Sequence, residues 1–484
     1  MSLTNFHVRE HVLPCSHVRE YPRAVRSEED DVLHMHIKRY TPISNTRPEP
    51  YDVTFIAAHA NGVGKELYEP LWDELLAYSR RTKKFRIRSI WIADVAHQGK
   101  SSVLNEGKLG NDPSWYDHPR DLLLMINHFR KAMPRPLVGI GHSMGGNNIA
   151  NLALLHPRLL TSVIMLDPVI QDKSSVSGNY NPAYSSSFRR DLWPSREAAR
   201  KAFAKSPFYQ KWDPRAFDLW IEHGLRELPT AIYPEGTVVP ASKPKASPAP
   251  PPPTPISSTA ATLASNPLSA AVVPVVGKDV PVTLTTPKHQ EVFSFLRSKH
   301  PAANQPITAF SPTRASHPDI PPVMVGDVPF YLAAVVLTFD QIPHLRPSCL
   351  YVIGGDSTLI PPEDVDRRTT ITGTGVGGSR YAPASPSDAV GDPVKQVVVK
   401  GGGHFFPFEL PAVAAAEIGA WLDEGIPAFR RGEALEKAAW AKVMAAGEQS
   451  TLGKDRLWWT KAEADKIKEQ VKSMQKVGAA KAKI

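Results

Sequence analysis

Along the first third of the chain, segments with the hydrophobic pattern of strands alternate with segments with the hydrophobic pattern of helices. Short apolar runs, typical of buried strands, cover residues 31–40, 53–58, 86–94, 136–141 and 162–167. Apolar residues at helical spacing predict helices over 69–80, 120–131 and 147–156. Because strands that alternate with helices build parallel sheets, we predict an α/β fold, with a mostly parallel sheet and helices on both faces.

This alternation stops after residue 170 and returns at about residue 340. Between these points the chain is rich in aromatic residues, with predicted helices over 196–203, 214–226 and 288–296. Residues 240–274 are rich in Pro, Ala and Ser and poor in large apolar side chains, so we expect a disordered linker there. The pattern therefore predicts a helical cap, or lid, inserted into the sheet domain.

The sheet pattern resumes with predicted strands over 349–354 and 394–400, a helix over 411–423 and a lysine-rich amphipathic helix over 433–476. A segment rich in Gly, Ser and Pro at about 370–392 predicts a second, flexible insertion. The expected organisation has four parts: a first core part over 1–170, the cap over 171–339, a second core part over 340–428, and a basic helical tail over 429–484.

Composition narrows the class of protein. With 484 residues, 42% of them hydrophobic, the chain can bury a large core, and its 47 prolines fit the predicted insertions. The net charge of +9 is spread thinly, so we expect no nucleic-acid partner. Apolar runs are too short to predict a transmembrane segment. Two distant cysteines, Cys15 and Cys349, cannot build a disulfide framework, which favours a reducing compartment.

A candidate nucleophile stands between a predicted strand and a predicted helix. Residues 141–146 read GHSMGG, a G-x-S-x-G motif that follows the strand LVGI and precedes the helix NNIANLALL. In such a strand-turn-helix the serine adopts a strained backbone that presents its Oγ above the sheet. The alternative is a glycine-rich turn with an ordinary serine. The context favours Ser143 as the catalytic nucleophile.

A serine hydroxyl needs a general base, and His404 follows the last predicted strand and a run of three glycines. The acid that orients this histidine has two candidates. Asp167 ends the strand that comes after the predicted helix 147–156, whereas Asp356 follows the next strand. In the usual pattern the acid is the third residue after the glycine that ends that strand, and this position holds Ser357, so Asp356 lies one position too early. We favour Asp167 and keep Asp356 as the alternative, since either could be a loop carboxylate without a catalytic role.

The tetrahedral intermediate of acyl transfer needs two N–H donors. The backbone of Met144, next to the serine, is one candidate. The other is Asn61, in the loop HANGVG that follows the strand VTFIAA, while His59 is expected to brace this loop. An ordinary glycine turn is the alternative for this stretch. No phosphate-binding loop, dinucleotide fingerprint or metal-ligand cluster occurs, so we expect neither a cofactor nor a metal.

These motifs resemble the α/β-hydrolase superfamily over roughly 1–170 and 340–428. More narrowly, the phrases FHVREHVLPC, AHANGVGKELYEPLWDEL and LGNDPSWYDHPRDLL are similar to a fungal group that includes toxin-biosynthesis hydrolases and a peroxisomal yeast lipase. The resemblance implies a serine esterase that works without a cofactor and resides in peroxisomes. The two insertions depart from the group and leave the cap geometry, and with it the substrate, open.

The favoured hypothesis is a serine hydrolase that cleaves acyl esters through an acyl-enzyme, lipase- or esterase-like. The alternatives are an acyl-CoA thioesterase or a hydrolase of secondary-metabolite biosynthesis, and, from another class, a hydrolase-fold protein that binds a ligand without turnover. The tripeptide Ala482, Lys483, Ile484 is similar to the address read by the peroxisomal import receptor. We therefore expect that receptor as a partner and the peroxisomal matrix as the location, with the cytoplasm as the alternative.

Overall fold

The computed structural model describes residues 2–27, 31–173, 180–239, 280–320, 329–359, 361–381 and 391–481. The Pro/Ala-rich segment 240–274 and the terminal tripeptide 482–484 lie outside these residues, as do residues 382–390 of the second predicted insertion. The chain divides into two units, residues 1–427 and 428–484.

The first unit is built on an eight-stranded sheet within the described residues. Its strands are β1 (Phe6–Pro14), β2 (His34–Pro42), β3 (Val53–Ala58), β4 (Ile87–Ala93), β5 (Leu137–His142), β6 (Ser162–Leu166), β12 (Ser348–Gly354) and β13 (Val394–Val399). The order across the sheet is β1-β2-β4-β3-β5-β6-β12-β13. The pairs β1–β2 and β2–β4 are antiparallel and the remaining pairs are parallel, which confirms the predicted fold class.

Five short strands lie in the chain between β6 and β12: β7 (Leu192–Trp193), β8 (Leu225–Glu227), β9 (Val282–Leu284), β10 (Arg297–Ser298) and β11 (Phe330–Tyr331). The helices of the core are α1 (Ser2–Asn5), α2 (Glu69–Thr82), α3 (Gly99–Leu104), α4 (Asp117–His128), α5 (Met144–Leu155), α11 (Ala333–Gln341), α12 (Pro362–Ile371) and α13 (Phe406–Glu409). The helices between β6 and β11 are α6 (Asn181–Phe188), α7 (Arg196–Ala204), α8 (Pro207–Gln210), α9 (Pro214–His223) and α10 (Lys288–Phe295). Helix α14 covers Pro411–Ala445 and α15 covers Lys454–Lys481.

Both faces of the sheet are covered, which explains why its central strands are mostly apolar. On β3, Phe55 and Ala57 belong to one buried cluster, whereas Ile56 and Ala58 belong to the cluster on the opposite face. Successive strand residues point to opposite faces, so a strand that is buried on both sides cannot alternate apolar with polar residues. Because the parallel strands run in the same direction, their carboxyl ends lie together at one edge of the sheet, where the loops with the candidate site residues lie.

The elements of the predicted cap follow β6, and their buried aromatic residues join the hydrophobic cluster that covers one face of the main sheet. A three-stranded sheet of order β7-β9-β8 lies among these helices. Trp212 and Trp220 are buried, and the ring of Tyr209 stacks on that of Trp220 with centroids 5.9 Å apart. Their helical spacing therefore reflects packing in this shared core, where Trp212 also contacts Phe408 with ring centroids 5.1 Å apart.

Two features of the elements differ from the sequence expectations. Strand β1, which pairs antiparallel with β2, was not anticipated, because the adjacent charged residues Arg9 and Glu10 are both exposed and interrupt the alternation of the strand. The second unit was expected to hold one helix over 433–476, but α14 ends at Ala445 and α15 begins at Lys454, after a break that contains Gly447 with a positive φ of 71°. None of the helices in the described part of the chain is both long and apolar enough to cross a membrane.

Candidate active site

Ser143 occupies a sharp turn between β5 and α5. Its φ of 57° lies in the region that L-residues rarely adopt, and its side chain stands at the N-terminus of the twelve-residue helix α5. The flanking glycines permit this turn: a Cβ on Gly141 would lie 2.1 Å from the carbonyl oxygen of Gly145, and one on Gly145 would lie 2.1 Å from that of Ala58. Local sequence thus forces the hydroxyl out above the sheet, at the positive end of a helix dipole.

A chain of short hydrogen bonds joins Ser143 to a histidine and a carboxylate. His404 Nε2 lies 2.9 Å from Ser143 Oγ, and His404 Nδ1 lies 2.6 Å from Asp167 Oδ2. The three residues come from three separate loops, after β5, β6 and β13, which the parallel sheet brings to one edge. With Asp167 accepting from Nδ1–H, the tautomer leaves Nε2 free to accept the serine proton.

Asp167 is held in place by more than the histidine. It has a φ of 42°, its N–H donates to Val352 O at 2.8 Å, and Ser357 Oγ donates to its Oδ2 at 2.5 Å. Burial, the largest single influence, opposes ionisation of this carboxyl, but the hydrogen bonds from His404 and Ser357 outweigh it and lower its pKa. The carboxylate is therefore negatively charged where it faces His404.

The alternative acid lies elsewhere. Asp356 is exposed, and its backbone N–H donates to Gly402 O at 2.9 Å. The structure brings Asp167, not Asp356, against His404. Ser357 occupies the position at which the usual pattern has an acid. It has no carboxylate, and its hydroxyl donates a hydrogen bond to Asp167.

The loop after β3 lies beside Ser143 and carries the second expected N–H donor. Asn61, together with Met144, lines the same cavity as Ser143. The Asn61 side chain is fixed on both sides, since its Oδ1 accepts from Gln98 Nε2 at 2.6 Å and its Nδ2 donates to Glu291 O at 3.0 Å.

His59 braces this loop from within the core. It is fully buried, its Nδ1 lies 2.8 Å from Ala60 O, and its Nε2 accepts from Val95 N–H at 2.9 Å. Burial is the largest influence on this imidazole and lowers its pKa, so it is neutral. Both ring nitrogens are occupied, which leaves His59 no free group for chemistry.

A buried ion pair holds the other end of the loop. Lys65 Nζ lies 2.6 Å from Asp94 Oδ2, and the N–H groups of Lys65 and Lys100 also donate to Asp94. Burial, the largest influence, opposes the lysine's charge, but Asp94 and Glu66 outweigh it and raise the pKa of Lys65. The stretch around Asp94 is thus structural, and it fixes the start of the helical turn that follows the loop.

Sequence reasoning missed a hydrogen-bonded chain behind the site. His142 Nε2–H donates to His404 O at 2.9 Å, so its Nδ1 accepts from Tyr68 Oη, also at 2.9 Å. Tyr68 Oη in turn accepts from Ala60 N–H at 2.9 Å. Burial, followed by the nearby His404, lowers the pKa of His142 to about 3, which keeps it neutral. The chain links the backbone of His404 to the loop of Asn61; a histidine at the x position of the motif was its one visible signal.

Above Ser143 lies a cavity of about 600 Å³. Its apolar wall is formed by Trp115, Val169, Pro182, Pro207, Phe208, Phe295, Leu359 and Phe405. Lys211 is the one lysine or arginine among the described residues that line it. Among the described residues, no three His, Cys, Asp or Glu side chains are grouped as a metal site requires. The arrangement suits an apolar acyl group placed against a serine nucleophile.

Comparison with known proteins agrees with this architecture. A family model described as serine aminopeptidase, S33, matches residues 85–213. The type I acyl-CoA thioesterase mpaH of Penicillium roqueforti (strain FM164) is 41% identical over 438 residues, which cover 90% of this chain and 91% of that protein. This chain belongs to the α/β-hydrolase family. The predicted family resemblance is thereby confirmed, and the protein is an enzyme of the esterase or thioesterase type.

More distant relatives of this α/β-hydrolase are also fungal. The abhydrolase domain-containing protein AFT2-1 of Alternaria alternata is 27% identical over 294 residues, 60% of this chain and 85% of that one. Among solved structures, the peroxisomal α/β-hydrolase Lpx1 of Saccharomyces cerevisiae matches with a TM-score of 0.59 at 15% identity and covers 91% of this chain and 98% of its own. At that identity the match shows the shared fold.

Proposed function

We propose that this α/β-hydrolase cleaves acyl thioesters of coenzyme A through Ser143, His404 and Asp167. The observation that carries the proposal is the Ser143–His404–Asp167 chain, with distances of 2.9 and 2.6 Å, at the base of a largely apolar cavity. The choice of a thioester over an ordinary carboxylic ester is supported by the relative named an acyl-CoA thioesterase, which covers nine-tenths of the chain.

The reaction begins when His404 Nε2 takes the proton of Ser143 Oγ, and this oxygen attacks the thioester carbonyl carbon. The N–H groups of Met144 and Asn61 donate to the oxyanion that forms, and the N-terminus of α5 stabilises the same negative charge. The C–S bond then breaks, and the proton on His404 passes to the departing sulfur. Asp167 stabilises the charged imidazole throughout this step.

A water molecule completes the cycle. His404 takes a proton from the water, the resulting hydroxide adds to the acyl-enzyme carbonyl, and the bond to Ser143 Oγ breaks as that oxygen regains the proton. The products are a carboxylic acid and a free thiol. The apolar cavity wall holds the acyl group, while Lys211, an exposed cation on that wall, suits an anionic leaving group such as coenzyme A.

Turnover of an acyl-CoA series from acetyl to palmitoyl, followed by thiol release, tests this proposal. Wild type is expected to release thiol and Ser143→Ala to release none, with the chain-length optimum set by the cavity. Hydrolysis of p-nitrophenyl esters with no thioester turnover would restore the carboxylic-ester hypothesis. Silence on both series, together with no labelling of Ser143 by a fluorophosphonate, would favour the non-catalytic binder.

Location stays a prediction of its own. The terminal tripeptide 482–484 lies outside the described residues, and the peroxisomal Lpx1 of yeast shares only the fold at 15% identity. A fluorescent fusion that carries the protein at its C-terminal end is expected in peroxisomes, and deletion of the tripeptide should leave it in the cytoplasm. Import without the tripeptide would contradict that address.

A further inference from the structure

Glu291 on α10 is a buried carboxylate that contacts a cap helix with its side chain. Ser186 Oγ on α6 donates to Glu291 Oε1 at 2.6 Å, and the guanidinium of Arg189, at the end of the same helix, pairs with Oε2. The Glu291 side chain is 6% exposed and that of Arg189 is 27% exposed. Removal of one member of such a pair costs more than removal of a member of a surface pair, because it leaves the buried charge without a partner.

The same residue contacts the loop beside the nucleophile. The main-chain oxygen of Glu291 accepts the hydrogen bond from Asn61 Nδ2 at 3.0 Å. Gly62 packs directly onto the carboxylate: a Cβ built there would lie 2.6 Å from Glu291 Cδ, and its φ of 80° also suits glycine. Glu291 therefore touches both α6 and the loop that carries Asn61.

The loop has one further partner on this side. Gln98 Nε2 donates to Asn61 Oδ1 at 2.6 Å, and Gln98 Oε1 accepts from Gly62 N–H at 2.8 Å. Gln98 and Glu291 thus bind the oxygen and the nitrogen of the Asn61 side-chain amide, respectively. A displacement of α10 by a few tenths of an ångström would shift the hydrogen bond from Glu291 and move the backbone N–H of Asn61 relative to Ser143.

Helix α6 also borders the substrate cavity, through residues next to those that contact Glu291. Asn181, Pro182 and Ser185 line the cavity above Ser143, whereas Ser186 and Arg189 face α10. The position of α6 therefore determines both the shape of the cavity wall and the contacts that Ser186 and Arg189 make with Glu291.

We propose that Arg189 and Glu291 form a latch that holds the cap helix α6 against α10 and thereby positions the oxyanion loop. Both are positioning residues, since neither touches the reacting atoms. The latch makes the loop geometry depend on a correctly placed lid, so that a substrate that displaces α6 also weakens stabilisation of the intermediate. This inference rests on the proposed function where it assigns the Asn61 N–H to the oxyanion.

Hydrogen-deuterium exchange read by mass spectrometry tests the latch without reference to turnover. In full-length Arg189→Ala, peptides that cover residues 59–64 are expected to exchange about tenfold faster than in wild type, although Arg189 has its contact with Glu291 and not with that loop. Arg189→Lys, which keeps the charge, should restore most of the protection. The matched control is Arg200→Ala, which removes another cap ion pair, with Asp218 at 2.6 Å, away from α6.

Kinetics supply a second reading. A trifluoromethyl ketone, which traps the serine as a charged tetrahedral adduct, should bind Arg189→Ala about tenfold more weakly, and kcat/KM should fall by the same factor. Exchange over 59–64 that is unchanged in Arg189→Ala, or equally raised in Arg200→Ala, would overturn the latch. A loss of thermal stability with unchanged exchange and unchanged ketone affinity would do the same. Absent thioester turnover would refute the proposed function alone, because the exchange comparison still decides the latch.

Discussion

Replacement of Asp167 by Asn removes the negative charge that faces His404 and keeps the size of the side chain. When His404 takes the serine proton, its ring becomes positively charged at 2.6 Å from the Asp167 oxygen. Two unit charges about 4 Å apart at an effective dielectric constant of about 20 attract each other by about 4 kcal/mol. Since about 1.4 kcal/mol is a factor of ten in rate, Asp167→Asn should lower kcat/KM by about 10³-fold.

The assay is thiol release from a preferred acyl-CoA, with kcat and KM measured separately. The loss should fall on kcat, because Asp167 contacts His404 and Ser357 and is absent from the cavity wall. Asp356→Asn is the matched control: it removes a carboxylate from the neighbouring loop, at an exposed position, and should keep wild-type kinetics.

The opposite pattern would refute this reasoning. If Asp167→Asn stayed within tenfold of wild type while Asp356→Asn lost three orders of magnitude, the charge that assists His404 would come from Asp356. Thermal unfolding of both variants separates this outcome from a folding defect, since a kcat loss in a variant that unfolds at the wild-type temperature reports on chemistry.

Three further predictions follow from the groups around the site. Tyr68→Phe leaves Ala60 N–H and His142 Nδ1 without their buried partner and should cost about 2–4 kcal/mol in urea unfolding; a loss below about 0.5 kcal/mol would contradict the chain. Because the pKa of His142 falls to about 3 on folding, the unfolded chain binds a proton that the folded one does not between about pH 6.5 and 3. The free energy of unfolding should therefore decrease as the pH is lowered through that window, by up to about 1.4 kcal/mol per pH unit for this residue. His142→Gln should flatten this slope, and an identical slope in the variant would contradict the prediction. Ser357→Ala removes a hydrogen bond that lowers the pKa of Asp167 and should reduce kcat about 3- to 10-fold; unchanged kcat would show that Asp167 needs no second donor.

The site residues differ in how far sequence could anticipate their positions. The position of Ser143 could be predicted from its own neighbours, because a turn this tight between a strand and a helix needs glycines on either side of the serine, and the motif shows them. Asp167 and Asp356 both follow strands of the same sheet, and strand ends alone cannot tell them apart. Their difference arises from the positive φ of Asp167 and from the donors that converge on it, and these depend on loops far away in the sequence.

The cap shows the same limit more strongly. Its aromatic spacing predicted helices near 196–203 and 214–226, which the structure has as Arg196–Ala204 and Pro214–His223. Nothing in that spacing says that Glu291 lies against Gly62, because the contact joins residues more than two hundred positions apart.

The sequence by itself determined the α/β class, the position of the elbow serine and the histidine after the last strand, because strand periodicity, glycine turns and the order of elements are local properties. Tertiary structure alone decided which carboxylate meets His404, how Tyr68 and His142 join two loops, and how the cap contacts the loop of Asn61. Those choices depend on which side chains meet across the folded chain, and on the burial and hydrogen bonds that set their charge.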